Sequence, residues 1–217
     1  KQARARRIAE EHLQRARRDL ASQTSLVAAL AERAPIALAI VGDVNSRAVA
    51  EHSLMLMLAA ARCAVAHDIA SRNGNWQVRN RFQTSELDGK TLLLVGFGRI
   101  GRRVASLAQA FGMTVIAYDP FAEAQSFVGT GVSDAPNLDA ALARADVVSL
   151  HIPGSPDGPL LGQRELSLMK PTAIVINTAR GELIDESALD QALRSGHIAA
   201  AALDVLIEEG YTYDSSV

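Results

Sequence analysis

The sequence predicts an α/β fold, a doubly wound parallel sheet, on two observations. From residue 89 onward, short apolar runs alternate with stretches of helical character, each bounded by Gly, Pro, Asp or Asn. Strands buried on both faces and joined by helical crossovers read this way. The first run opens directly into VGFGRIG, with Gly96, Gly98 and Gly101 at G-x-G-x-x-G spacing, and the second ends in YDP, which puts Asp119 eighteen residues after Gly101. A glycine loop between a strand and a helix, with an acidic residue ending the next strand, is an arrangement that receives a dinucleotide.

In chain order, residues 1–33 read as a helix with Ala9, Leu13, Ala16 and Leu20 on one face. Residues 1–20 carry a net charge of +4. A packing or solvated helix with its arginines in water is expected, and a basic docking helix is the sharper alternative. IALAIV at 36–41 is a candidate strand. Asn45 or Ser46 should then cap a long helix over 46–71. Its middle, SLMLMLAAA, is apolar all round, so burial on every side is expected, with the Met residues as core filler. Residues 72–88, polar and irregular around Trp76 and Phe82, read as a linker or interface loop. Strands follow at TLLLV (91–95), TVIAY (114–118), DVVSL (146–150), AIVIN (173–177) and AAALD (200–204), with helices near 99–111, 137–144, 163–169 and 186–195.

The bulk numbers exclude several classes. With 217 residues, 48% hydrophobic and 21% charged, the chain can bury a sizeable core. A net charge of -2 gives no nucleic-acid signature. The lone cysteine, Cys63, rules out an internal disulfide framework and fits a reducing, cytoplasmic setting. No apolar run is long enough to span a bilayer. The Arg/Ala-rich start is loosely like an organelle transit peptide, but its acidic residues argue against one. The sequence does not begin with Met, and a processed or truncated chain is expected.

The glycine loop has a direct physical reading. Gly96 permits the tight turn, Gly98 lets the backbone approach a pyrophosphate, and Gly101 lets the helix pack on the sheet. The N–H groups of Arg99 and Ile100 then face the phosphates at the positive end of the helix dipole. Asp119 can accept hydrogen bonds from ribose hydroxyls, and its charge would repel a 2′-phosphate. No arginine follows it in PFAEAQ, so NAD is expected over NADP.

Three stretches together, GKTLLLVGFGRIGRRVASLAQAFGMTVIAYDP, ADVVSLHIP and MKPTAIVINTARGELIDESALDQALRSGHIAAAALDV, resemble the D-isomer-specific 2-hydroxyacid dehydrogenases, closest in flavour to the phosphoglycerate dehydrogenase and hydroxypyruvate reductase group. VNSRAVAEHSLMLMLAAAR is similar to that family's long interdomain helix. The resemblance spans roughly 35–209. It implies a Rossmann NAD-binding domain over 89–209, an interdomain helix and dimerisation loop over 46–88, only a remnant of the substrate domain within 1–45, and a tail at 210–217.

The resemblance also assigns roles. Arg180, ending an apolar strand in NTARG, would bind the carboxylate of a 2-keto acid and polarise its carbonyl, and a planar guanidinium suits that bidentate task. Glu209 matches the glutamate that pairs with a catalytic histidine, with Glu208 its neighbour; Gly210 stands where the family usually has proline. His151 and Pro153 of HIP, with Ser155 in place of threonine, would line the cofactor site. Thr178, Ala179 and Asp204 would contact the nicotinamide side. The stretch after Ser155 reads one residue shorter than usual. His12, His52, His67, His151 and His197 all precede Glu209, so none matches the catalytic histidine. His52 is expected to be a packed helix residue. The expected activity is hydride transfer between NAD and the C2 of a small 2-keto or 2-hydroxy acid by a homodimer, with no metal. The alternative is a catalytically silent NAD-binding sensor or interaction module on the same scaffold.

Overall fold

A computed structural model describes residues 45–80, 84–154 and 158–208. The expectations for residues 1–44, for Phe82, Ser155 and Glu209, and for the tail lie outside them.

Six strands form one sheet in the order β3-β2-β1-β4-β5-β6. They are β1 Thr91–Val95, β2 Thr114–Tyr118, β3 Ser133–Asp134, β4 Val147–Leu150, β5 Ile174–Asn177 and β6 Ala200–Leu203. Every neighbouring pair is parallel, as the doubly wound reading requires. The sequence expectation lacks β3. That strand is two exposed residues on the sheet edge, too short and too polar to leave a hydrophobic pattern.

The helices are α1 Ser46–Ala61, α2 Ala64–Arg72, α3 Arg99–Ala110, α4 Leu138–Arg144, α5 Gln163–Leu168 and α6 Glu186–Arg194. Two carry a capping side chain on the N-cap residue itself. Asn137 Oδ1 accepts from Ala140 N–H at 2.8 Å to start α4, and Asp185 Oδ1 accepts from Ala188 N–H at 3.0 Å to start α6.

Alternate residues of the five longer strands enter two separate cores. Leu93, Val95, Val148, Leu150 and Val175 pack with Leu142, Leu166 and Leu189 of α4, α5 and α6. Leu92, Leu94, Val147, Ile174 and Ile176 pack on the other face with Val104 and Ala108 of α3 and with Ala50, Leu54, Met57 and Ala61 of α1. Right-handed crossovers that run outward from β1 and from β4 in opposite directions put their helices on opposite faces. The β5–β6 half of the α3 face would therefore be bare. Helix α1 covers it, so the helix that precedes the sheet in sequence completes the sheet's own core.

The single helix expected over 46–71 is instead two. The chain breaks after Ala61, and the axes of α1 and α2 differ by 60°. Cys63 sits at the break with φ +50°, the one non-glycine in the left-handed region among the described residues. No Gly or Pro marks the spot, so the sequence pattern runs straight through it. Nor is α1 buried all round: Met57 is fully buried, whereas Met55 is 49% exposed. Helix α2 has no buried residue at all. Among the described residues no single helix is long and apolar enough to cross a membrane.

Candidate cofactor and active site

Strand register builds the site. Val95 lies beside Tyr118 on one side and Leu150 on the other, Leu150 beside Asn177, and Asn177 beside Leu203. The residues that follow these strand ends therefore form one row along the carboxyl edge: Asp119, Gly96, His151, Thr178 and Asp204. Main-chain bonds extend the ladder into that row, from Gly96 N–H to the Tyr118 carbonyl at 2.9 Å, His151 N–H to Val95 at 2.8 Å and Asp204 N–H to Asn177 at 2.9 Å. Strand order reverses between β1 and β4, which opens a crevice beyond their carboxyl ends.

The glycine loop borders that crevice. Gly96 has φ +101°, and a Cβ there would stand 2.6 Å from the His151 carbonyl oxygen. A Cβ on Gly101 would run into the Gly96 carbonyl oxygen, so the start of α3 rests directly on the loop. Gly98 differs: its φ is -77° and a Cβ there meets nothing within 4 Å. The protein itself does not require glycine at 98. The open space above it is a cradle that a side chain would fill, and a diphosphate fits it. At the helix start the N–H groups of Arg99 and Ile100 have no intrahelical acceptor, and the first helical bond there runs from Arg102 N–H to the Gly98 carbonyl at 3.0 Å.

Asp119 lies just past β2. Its Oδ2 accepts from Phe97 N–H at 2.8 Å and its Oδ1 from Phe121 N–H at 3.0 Å. Each oxygen keeps a lone pair for a hydroxyl. The carboxylate thus orients the glycine loop as well as facing the crevice. Phe97 is held from beneath by stacking on Phe127, with ring centroids 4.7 Å apart.

Beyond β5 the turn carrying Thr178, Ala179 and Arg180 is pinned by Asn177, which is 1% exposed. Its Nδ2 donates to the Arg180 carbonyl at 2.8 Å, and its Oδ1 accepts from Ala179 N–H at 3.0 Å. The Arg180 guanidinium is exposed. It donates to the Ala179 carbonyl at 2.6 Å and forms no ion pair among the described residues. Gly181 has no room for a Cβ, which would strike the Leu206 carbonyl and Ile207 nitrogen. The segment after β6 thereby packs against the Arg180 turn.

His151 Nε2 lies 2.9 Å from Ser149 Oγ. Part of the residue reaches the surface, but its ring is desolvated, and burial pushes the imidazole down to about 4 from its ordinary 6.5. It is neutral at neutral pH and a poor proton donor. A cavity of about 850 Å³ opens beside the Arg180 turn, but Glu182, Asp185, Glu186 and Glu208 line it. That acidic lining suits neither a diphosphate nor a carboxylate, so the row of strand ends is the better site. Among the described residues no group of three or more His, Cys, Asp or Glu is placed to hold a metal.

The sequence profile described as D-isomer specific 2-hydroxyacid dehydrogenase, NAD binding domain, matches residues 54–217. The chain belongs to this family. The D-3-phosphoglycerate dehydrogenase of Methanocaldococcus jannaschii is 45% identical over 168 residues, which are 77% of this chain and 32% of that protein. The chain thus spans about a third of the length of that curated relative. The TT0316 protein of Thermus thermophilus superposes with a TM-score of 0.74 at 38% identity, over 83% of this chain and 57% of that one. The D-lactate dehydrogenase of Lactobacillus jensenii, solved with NAD+, gives a TM-score of 0.74 at 32% identity, over 87% and 56%.

Within this 2-hydroxyacid dehydrogenase domain, the structure brings the expected residues Gly96, Asp119, His151, Thr178 and Asp204 into one row, with Gly98, Arg99, Ile100, Gly101, Ala179 and Arg180 on the loops that rise from it. Pro153 is exposed on the loop after His151. Three further residues meet the row without having been expected there. Asn177 fastens the Arg180 turn. Ser53 Oγ lies 2.9 Å from Thr178 Oγ1, and His52 Nε2 lies 3.2 Å from Asp204 Oδ1. His52, expected as a packed helix residue, lies on α1 but is only partly buried, with its side chain 40% exposed. Sequence could pair AEHS with these strand ends only if the docking of α1 were already known.

Proposed function

We propose that this chain carries the coenzyme half of an NAD-dependent D-2-hydroxyacid dehydrogenase, which moves a hydride between nicotinamide and the C2 of a small 2-keto or 2-hydroxy acid. The observation that carries the reading is Arg180, an exposed guanidinium without a carboxylate partner among the described residues, on the loop beyond β5 that rises from a row of residues suited to a dinucleotide. When bound, NAD supplies or receives the hydride. Asp119 holds the adenosine ribose and favours NAD over NADP by charge. The α3 amides and the open space over Gly98 take the diphosphate, with His151 and Pro153 along the wall, and Ser155 is assigned a cofactor-binding role with them. Arg180 binds and orients the substrate carboxylate and stabilises charge growing on the carbonyl oxygen. Thr178, Ala179 and Asp204 face the carboxamide side. Glu209 is assigned to the carboxylate that raises the pKa of the family's catalytic histidine.

Residues 1–45 are assigned to the substrate domain, 46–88 to the interdomain helix and dimer contact, 89–209 to the coenzyme domain and 210–217 to a tail. The protein is proposed to work as a cytoplasmic homodimer. The test is NADH oxidation over a panel of 2-keto acids, phosphorylated and not. Arg180→Ala should lower kcat/KM by about a thousandfold while leaving NADH affinity within a few-fold. Unchanged turnover would remove Arg180 from the role.

A second reading, a silent NAD-binding sensor, draws on the neutral state of His151 at the strand ends. Tight NADH binding with no oxidation by any 2-keto acid would favour it.

A further inference from the structure

Two neighbouring residues of α1, His52 and Ser53, reach the ends of β5 and β6, and donor counting there assigns directions. The Ser53 hydroxyl has one proton, which it donates to the Val49 carbonyl at 2.8 Å. The 2.9 Å contact between Ser53 Oγ and Thr178 Oγ1 must then use the Thr178 proton. That leaves the Thr178 oxygen only lone pairs to offer elsewhere. On the next strand, His52 Nε2 stands 3.2 Å from Asp204 Oδ1. A carboxylate accepts only, so that nitrogen carries the proton, and Asp204 Oδ2 keeps its lone pairs. The two strand ends lie side by side, because Asn177 pairs with Leu203.

We propose that Ser53 and His52 are positioning residues that fix the hydrogen-bond polarity of this wall. Thr178 and Asp204 then present acceptors alone, and the wall selects a primary carboxamide over the corresponding carboxylic acid. A carboxamide brings two N–H donors to two acceptors. A carboxylate brings none and meets the charge of Asp204. Ser53 is fully buried, so its contribution passes through the direction of the Thr178 hydroxyl. The inference rests on the reading that the nicotinamide lies over the ends of β5 and β6.

The test is calorimetric binding of NAD+ and of nicotinic acid adenine dinucleotide, its carboxylic acid counterpart, to the 217-residue chain. The unmodified chain should prefer NAD+ by at least about tenfold. Ser53→Ala frees the Thr178 proton to turn toward the ligand, and the preference should fall by about five- to tenfold. His52→Gln keeps an N–H for Asp204 and should retain the preference; His52→Leu should weaken NAD+ several-fold. Melting temperatures report whether each variant folds. If Ser53→Ala does not fold, Thr178→Val decides, with the same loss of preference expected. A preference unchanged by loss of either hydroxyl overturns the inference and leaves the site reading standing. Failure of the unmodified chain to bind NAD+ overturns both.

Discussion

Asn177 shows how one buried amide can control a charged side chain it never touches. Its oxygen and nitrogen serve Ala179 N–H and the Arg180 carbonyl at 3.0 and 2.8 Å, so both ends of the turn are fastened from inside the sheet. Asn177→Leu keeps the volume but leaves those two backbone groups unsatisfied. It should cost about 2–4 kcal/mol in urea denaturation and, on the proposed function, raise the KM for the 2-keto acid, because Arg180 is no longer aimed. His151 gives a pH signature. Its folded pKa is about 4, below the ordinary 6.5. Between these values the unfolded chain binds more protons than the folded one, so stability falls as pH drops through that window and is flat above it for this group. The loss is at most about 3 kcal/mol. Thermal melts of His151→Gln should show a shallower slope between pH 4 and 6.5 than the unmodified chain.

At the scale of elements, α1 behaves as a core helix of the sheet with a single buried face. Met57 fills the space between that face and β5, whereas Met55 projects away. Met57→Ala should cost about 2–5 kcal/mol, and Met55→Ala less than about 0.5 kcal/mol, by chemical denaturation. Equal costs would mean that both faces are covered. The break at Cys63 turns α2 off the sheet. The left-handed backbone there is paid for by the packing of α1 on one side and frees α2 on the other. The four helices of the sheet unit lie within a residue of their sequence expectation, because caps such as Asn137 and Asp185 mark their starts.

At the scale of the molecule, α2 and the turn after it hold large apolar side chains exposed among the described residues. Val65 and Trp76 are each 69% exposed and Ile69 is 55% exposed. A patch of that kind on an amphipathic helix is a contact surface in search of a partner. The proposed partner is a second copy of the chain. Ile69→Glu should leave the melting temperature of the sheet unit within about 2 °C, since Ile69 is itself 55% exposed, and should shift sedimentation from dimer to monomer. A monomeric unmodified chain at micromolar concentration would remove the proposal.

Everything repeated or locally constrained was legible in the amino-acid order. Apolar runs of five, glycine spacing in VGFGRIG and capping residues are decided within a few neighbours, so they predict the doubly wound sheet and the phosphate loop directly. NTARG marked the arginine for the same reason: a charge after an apolar run has to emerge at a strand end. What the order left open depends on residues brought together from far apart. The docking of α1 on β5 and β6, the meeting of Ser53 with Thr178 across 125 positions and the seat of His52 against Asp204 follow from which half of a sheet face the crossovers leave bare. That is a property of the closed core, and no local pattern encodes it.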